Sequence, residues 1–180
     1  EPLGTKAPAQ TFQDLLRNKQ DEKRFDHFAS RSIVRYSLDG AEEAYLPPAI
    51  YAAAQLSPDG AFLLAESIHP PYSYLLPYYR FPSRVEIYDL GARKVVELCD
   101  KPLQDAIPID FDAVEAGPRE HQWREDQPAT IVWCEAQDGG DPAKPAEVRD
   151  RLFQLPAPFN GERRTLCTTK NRFAGMTWGD

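Results

Sequence analysis

The sequence predicts an all-β chain: a partial β-propeller of antiparallel four-stranded blades, with a short helical element near the N-terminus. Short strand-like runs recur from residue 32 onward, with turn signals between them. No long helical pattern interrupts these runs, and most of the 17 prolines and 10 glycines fall in the connections. A unit of strand, polar turn and strand also recurs along the chain, as expected of a repeat architecture.

The lead-in, residues 1–31, is predicted to be irregular and helical. Its first ten residues are rich in proline. Thr11 is suited to cap a short helix, because its hydroxyl can accept a hydrogen bond from a free backbone N–H of the first turn. The apolar side chains of this helix and of a second helical turn are Phe12, Leu15 and Leu16, then Phe25 and Phe28 on one face.

The first strand is the run "SIVRYSL", which alternates strictly and ends in the turn "LDG". The alternation predicts a half-buried strand with Val34, Tyr36 and Leu38 on one side. On the other side are Ile33, Arg35 and Ser37. Further strand candidates follow at 43–46, 50–55, 61–68, 84–90, 94–99, 119–124, 130–136, 151–155 and 164–169.

A repeated unit sets the expected blades. "LSPD", beginning at Leu56, aligns with "WRED", beginning at Trp123, and Trp178 in the tail aligns with Trp123. Each inner pair of strands is followed by two outer strands, and four strands joined by tight turns are typical of a propeller blade. The predicted divisions of 32–180 are outer strands 32–48, a blade 49–117, a blade 118–173 and the start of another blade 174–180.

Each unit is longer than the ~40–50 residues of a usual blade, which predicts an insertion in each. The surplus in the second unit is "DGGDPAKPAEV", residues 138–148. The surplus in the first is the aromatic, proline-rich run "IHPPYSYLLPYYRFPSR", residues 68–84, called the insert below.

The composition of the chain limits the kinds of partner that are expected. A formal charge of −7 argues against a phosphate-binding surface, so no nucleic acid partner is expected. No apolar run is long enough to span a bilayer, so no membrane partner is expected either. The chain begins without methionine, which suggests an excised piece and leaves both a periplasmic or secreted and a cytoplasmic location open. Cys99, Cys134 and Cys167 lie in strand-like runs and are expected to be buried free thiols.

The runs "SIHPPYSYLLPYYRFPSRVEIYD", "ELCDKPLQDAIPI" and "WREDQPATIVWCEAQDGGD" resemble the propeller of glutamyl-endopeptidase-like members of the prolyl oligopeptidase (S9) serine peptidases. The resemblance covers roughly residues 10–180, and the insert and "AQDGGD" are its most specific parts. It implies a propeller that caps an α/β-hydrolase domain and restricts access to a Ser-Asp-His triad.

One departure from the family limits this inference. The chain has no G-x-S-x-G nucleophile elbow. The resemblance therefore implies a peptidase parent whose hydrolase domain follows this chain as its partner. This piece alone is expected to be inactive, with no catalytic residue and no cofactor. An excised piece would also expose strand edges, which predicts self-association.

The insert allows two interpretations. In the first, its tyrosines cover apolar surface at the propeller edge; in the second, it reaches into the cavity next to the hydrolase domain and binds a peptide substrate. Arginine offers a two-pronged hydrogen-bond donor to a carboxylate, as a peptidase that cuts after acidic residues requires. The candidate substrate-binding residues are Arg80, Arg84, His69, Tyr72 and Tyr79.

No metal site is predicted. Asp138 and Asp141 of "DGGD" could supply oxygen ligands to calcium. The motif contains only these two acids and lacks the further ones that a calcium loop provides, which favours a plain turn. Two other functions stay open from the sequence. One is a stand-alone propeller that docks partner proteins without enzymatic activity. The other is a structural β-sandwich whose apparent repeat is accidental.

Overall fold

The computed structural model describes residues 12–179, which form one α-helix, one 3-10 turn and nine strands. The elements are α1 Lys19–Ala29, β1 Arg31–Tyr36, β2 Glu42–Leu56, β3 Phe62–Ile68, the 3-10 turn Tyr78–Arg80, β4 Ser83–Asp89, β5 Lys94–Lys101, β6 Arg119–Trp123, β7 Thr130–Ala136, β8 Asp150–Pro156 and β9 Arg164–Thr169. Among these residues no helix has the length and apolar character that crossing a membrane requires.

The strands form two sheets in which every neighbouring pair is antiparallel. The first sheet has the order β1-β2-β3-β4-β5 and the second β6-β7-β8-β9. The prediction of a mostly β chain with one short helical element is confirmed. The described residues form no closed sheet, so the propeller stays a prediction.

The predicted strands at 43–46 and 50–55 are one continuous strand, β2. Its first part pairs with β1, as far as Ala49 opposite Arg31, and its second part pairs with β3 from Ile50 onward. Pro47 and Pro48 lie between the two parts. Proline fixes an extended-compatible φ and provides no N–H, so the chain passes straight from one pairing to the next without a turn.

The helix begins later than the sequence predicts. Asn18 caps α1, since its Oδ1 accepts hydrogen bonds from the backbone N–H of Gln20 at 2.9 Å and of Asp21 at 3.0 Å. Thr11 lies outside the described residues, and Leu15 and Leu16 precede the helix, so the helix predicted there is wrong.

Phe25 and Phe28 do not share a buried face of α1. The Phe25 ring packs against the rest of the chain, whereas Phe28 is 81% exposed. In β1 the side that packs against the core is that of Ile33, and Val34 and Tyr36 are exposed. Register shifts on both sides of Ile33 break the alternation that the sequence predicts for this strand.

The main hydrophobic core lies between the two sheets. It joins one face of β3 and β4 to one face of β7 and β8. Its buried members are Leu64, Val85, Ile87, Trp123, Ala129, Ile131, Trp133, Phe153, Leu155 and Phe159. The opposite faces are also buried in part, at Leu63 and Ala65 in the first sheet and at Val132, Cys134 and Leu152 in the second. Both central strand pairs therefore carry apolar side chains on two faces.

The predicted repeat is visible at the first turn of each unit. Leu56 ends β2 and Trp123 ends β6. The next residue in each case, Ser57 or Arg124, donates its N–H to a carbonyl at the start of the following strand, at 2.8 Å in both units. Trp178 lies in no strand; its ring stands 4.5 Å from the Arg124 guanidinium. Leu56 and Trp123 thus share a place at the end of a strand, although Leu56 is 62% exposed and Trp123 only 5%, and Trp178 ends no strand.

The three cysteines form no disulfide. Cys134 is buried and Cys99 is half-buried, but Cys167 is exposed. The expectation of a buried thiol is wrong for Cys167, because β9 is an edge strand with only one neighbour.

Candidate functional site: the insert and the cavity beside it

The insert leaves the first sheet between β3 and β4. Ile68 still pairs with Ser83, and the His69 N–H donates to the Pro82 carbonyl at 2.9 Å, which closes the base of the insert. The prolines within it supply no N–H, so the ladder cannot continue outward. The chain instead forms an irregular loop with one 3-10 turn, Tyr78–Arg80.

One side of the insert packs against α1. The Phe25 ring lies 5.3 Å from the Tyr72 ring and 5.9 Å from the Phe81 ring, and both pairs are edge-to-face. Phe81 is buried together with Ile50 and Ile68. This small core fixes the insert to both the sheet and the helix.

Two tyrosine hydroxyls of the insert are hydrogen-bonded to α1. Tyr72 donates to Asp26, and Tyr74 donates to Glu22 at 2.7 Å. Burial, and then the Asp26 carboxylate, raise the pKa of Tyr72. The geometry therefore supports a packing role for Tyr72 rather than ligand binding. The surface that Tyr72 covers includes part of α1.

His69 and Arg84 come together around one carboxylate. His69 Nε2 lies 2.8 Å from Asp100 Oδ1, and the Arg84 guanidinium donates to Asp100 Oδ2 at 2.8 Å. Hydrogen bonds from Arg84 and His69 lower the pKa of Asp100. Arg84 is therefore already paired within the chain, which leaves it less suited to hold a substrate acid.

Tyr79 and Arg80 are placed differently from the other three candidates. Tyr79 is 64% exposed, and the Arg80 guanidinium stands 5.4 Å from the Phe12 ring. Among residues 12–179 no carboxylate oxygen lies within 4 Å of the Arg80 side-chain nitrogens. The Arg80 carbonyl accepts a hydrogen bond from Gln104 N–H at 2.9 Å, which fixes the backbone of the 3-10 turn.

Tyr79 and Arg80 line a cavity of about 270 Å³. The cavity lies between the insert, β5, the loop 102–118 and β6. Its volume lies just below the range of roughly 300–1,000 Å³ that is typical of ligand pockets. The charged residues in its wall are Glu66, Arg80, Lys101, Glu115, Arg119 and Glu120.

Lys101 forms ion pairs with two acids in this wall. Its Nζ lies 3.4 Å from Glu66 and 3.3 Å from Glu115. Burial raises the pKa of Glu115 despite the nearby Lys101. Burial also opposes the charge of Lys101, but Glu115 and Glu66 outweigh it and raise the lysine pKa.

Arg119, on the other side of the cavity, forms a buried ion pair that the sequence does not reveal. It is 6% exposed and donates from Nη2 to Asp150 at 2.6 Å. Asp150 has no exposed surface and also accepts from Arg172 at 3.1 Å. These residues are 22 to 31 positions apart, and only the folded sheet brings them together.

The "DGGD" turn belongs to the same buried cluster. Asp138 accepts hydrogen bonds from Arg149 at 2.7 Å and from Arg172 at 2.7 and 2.8 Å. Burial alone would favour the protonated acid, but these donors outweigh it, and the pKa of Asp138 is lowered. The Asp138 carboxylate is thus committed to arginines, which agrees with a plain turn rather than a calcium loop.

No family model matches the chain, and no solved structure matches it significantly. Two curated plant proteins do match. A protein named probable glutamyl endopeptidase, chloroplastic, from Oryza sativa subsp. japonica is 41% identical over 172 residues, or 94% of this chain. A protein of the same name from Arabidopsis thaliana is 40% identical over 178 residues, or 98% of this chain. The chain spans only 18% of the length of each relative, so it is similar to one segment of a much longer protein named as a peptidase.

Proposed function

We propose that this chain is a non-catalytic β-propeller segment of a longer serine peptidase of the prolyl oligopeptidase type, specific for glutamyl peptides. The observation that carries the proposal is the identity of 40–41% to two proteins named probable glutamyl endopeptidase, over nearly the whole chain. The segment would shape access to the catalytic site and recognise the peptide, while an α/β-hydrolase domain elsewhere in the parent would supply the triad. This chain lacks the G-x-S-x-G motif, so no catalytic residue is assigned to it.

The sheet geometry supports the propeller part of the proposal. β2 to β5 and β6 to β9 are successive four-stranded antiparallel units, and Leu56 and Trp123 end their first strands. The two turns that follow are in contact, since Asp59 N–H donates to the Pro128 carbonyl at 3.0 Å. Apolar side chains on both faces suit blades that pack between neighbours. We accordingly propose blades at 49–117 and 118–173, flanked by partial blades at 32–48 and 174–180.

Within this segment we assign acidic-peptide recognition to the cavity side of the insert. Arg80 is the candidate, because it lines the cavity and has no carboxylate partner in residues 12–179, whereas Arg84 is held by Asp100. Tyr79 stands beside it as an exposed aromatic wall. A charge-assisted hydrogen bond contributes about 1.5–3 kcal/mol, so its loss predicts a decrease of roughly tenfold to a hundredfold in kcat/KM.

The test is to compare Arg80→Ala with the unmodified full-length parent on two peptides that differ only in glutamate or glutamine at the cleaved residue. The variant is expected to lose activity on the glutamate peptide and to retain it on the glutamine peptide. Arg93→Ala is the matched control, because Arg93 is an exposed arginine that pairs with Asp89 on the turn before β5. Equal kcat/KM values for Arg80→Ala and the parent on the glutamate peptide would remove Arg80 from the site.

The enzymatic part of the proposal has a separate test. The parent protein should cleave glutamyl peptides and should lose this activity with a serine-directed inhibitor. A parent without such activity, which nevertheless binds peptides through this segment, would instead be a propeller docking module.

A further inference from the structure

The buried cluster beside the cavity carries an excess of positive charge. The guanidinium groups of Arg119, Arg149 and Arg172 face two carboxylates, Asp138 and Asp150, whose side chains have no exposed surface. Three positive groups against two negative ones leave one positive charge in excess. Buried charge is costly unless it is paired, so this excess needs an explanation.

The Arg149 side chain is 26% exposed, so water compensates part of its charge; the donor that lacks an acceptor belongs to Arg119. Its Nη2 donates to Asp150, but its Nη1 is buried and has no hydrogen-bond partner among the described residues. The Asp150 carboxylate accepts hydrogen bonds from Arg119, Arg172 and the Phe173 N–H, the last at 2.6 Å. A buried donor without an acceptor is rare in folded proteins, and each one calls for an explanation, such as a functional role or a bound water or ion.

The backbone at Arg119 is also irregular. Arg119 pairs with Cys134 and Gln122 pairs with Val132, so β6 has one residue more than β7 across this interval. The extra residue forms a β-bulge in which Glu120 has a φ of +56°. Bulges redirect side chains and are over-represented next to functional sites. Here the bulge places Arg119 and Glu120 in the wall of the cavity that Arg80 also lines.

We propose that this cavity is a carboxylate-binding subsite in which Arg119 provides the buried guanidinium that holds the anion. The proposal deepens the proposed function and rests on it for the source of the carboxylate, which is a peptide. Lys101 pairs with both Glu66 and Glu115 and offsets one of their two negative charges, so they oppose an incoming anion less than two free acids would. Glu120 is exposed at the rim and forms no ion pair within residues 12–179, so it also repels the anion.

The test uses the chain itself and three small probes. N-acetylglutamate α-amide offers only a side-chain carboxylate, N-acetylalanine only a terminal one, and N-acetylglutamine α-amide is the neutral match of the first. Binding is followed by two-dimensional NMR at the backbone amides of Glu120 and Phe173 and at the arginine side chains. We expect the glutamate probe to shift these signals with saturation and the glutamine probe to leave them unchanged. A terminal-carboxylate source would instead be shown by stronger binding of N-acetylalanine.

Three variants sharpen the test. Arg119→Lys keeps the charge but loses the planar fork, and should weaken glutamate-probe binding at least tenfold. Glu120→Gln removes the repelling acid and should strengthen it severalfold. Arg163→Gln is the control, since Arg163 stacks on Phe153 at 4.1 Å and does not line the cavity.

Equal binding of the glutamate and glutamine probes overturns the subsite. So does a folded Arg119→Lys variant that binds as tightly as the unmodified chain. If Arg119→Lys does not fold, the matched probes and Glu120→Gln decide the question without it. Probe binding at Arg119 in a chain whose parent cleaves glutamate and glutamine peptides equally would keep the subsite and reject the proposed specificity. A parent that prefers the glutamate peptide, together with a chain that does not bind the glutamate probe at Arg119, would keep the specificity and reject the subsite.

Discussion

The indole Nε1 of Trp123 donates a hydrogen bond of 3.0 Å to the carbonyl of Gln55 and so links the end of β6 in the second sheet to the end of β2 in the first. Trp123 is 5% exposed and belongs to the core between the sheets. Gln55 immediately precedes Leu56, the last residue of β2, and Trp123 is the last residue of β6. The bond therefore contributes directly to how the second sheet is positioned on the first.

Replacing Trp123 with phenylalanine should decrease the free energy of unfolding by about 1–3 kcal/mol, from the lost hydrogen bond and the lost ring volume. Trp178→Phe is the matched control, because Trp178 only stacks with Arg124 and its replacement should cost less than about 1 kcal/mol. Urea denaturation measures both. Equal losses would contradict a special role for the Trp123 bond.

Asp150→Asn should be strongly destabilising, by about 3–5 kcal/mol, because it leaves Arg119 and Arg172 buried with less compensating charge. Asp126→Asn is the control. Asp126 also pairs with an arginine, Arg124, but its side chain is 28% exposed, so water replaces much of what is lost. A loss below about 1 kcal/mol for both variants would show that the buried cluster contributes little to stability.

Phe25→Ala should detach α1 from the insert. Phe25 contacts Tyr72 and Phe81, and its removal should cost about 2 kcal/mol of local stability. Phe28→Ala changes an exposed ring on the same helix and should have an effect within about 0.5 kcal/mol. Hydrogen exchange of the amides in residues 19–29 reports the difference. Unchanged protection in Phe25→Ala would mean that other contacts hold the helix.

His121 should make the chain acid-sensitive. Burial, and then the Lys101 charge, lower the pKa of His121 from 6.5 to about 3, and the Cys99 thiol lies 3.8 Å from His121 Nε2. The unfolded chain takes up a proton below 6.5, whereas the folded chain takes it up only near 3. Folding stability is therefore lost as the pH falls through this interval.

His121→Phe retains an aromatic ring beside Trp133 but removes the titration. At about pH 4.5 the variant should have lost about 3 kcal/mol less stability than the unmodified chain, each relative to its own value at about pH 8. Chemical denaturation at the two pH values measures this, and the value at about pH 8 isolates the packing effect of the substitution. Parallel losses in the two proteins would place the acid sensitivity elsewhere.

The strands were predictable because alternation and turn chemistry are local. Ser57 to Gly60 shows why: the Ser57 hydroxyl, the Asp59 carboxylate and a φ of +69° at Gly60 close the turn within six residues. The two parts of β2 were predicted separately because Pro47 and Pro48 resemble a break, yet proline also suits extended backbone.

The packing of the helix and the make-up of the cavity wall depend on residues that are distant in the sequence. Phe25 is positioned by Tyr72 and Phe81, about fifty residues later in the chain, and nothing near Phe25 in the sequence indicates this. Arg119 likewise looks like an ordinary strand residue until the fold brings Asp150 beside it. Of the sequence-predicted site residues, the structure leaves Tyr79 and Arg80 on the cavity, pairs Arg84 and His69 with Asp100, and bonds Tyr72 to Asp26.

The unbroken course of β2 has a mechanical consequence. One strand of 15 residues is hydrogen-bonded to β1 over its first part and to β3 over its second. A slip of one ladder by two residues would drag the other with it, so the two registers are interlocked. A force applied to β1 would also be transmitted along β2 to its hydrogen bonds with β3. These bonds are perpendicular to the strand, so they would be loaded in shear and would resist the force together. β2 thus mechanically connects the N-terminal hairpin, β1 and the first part of β2, to the rest of the first sheet.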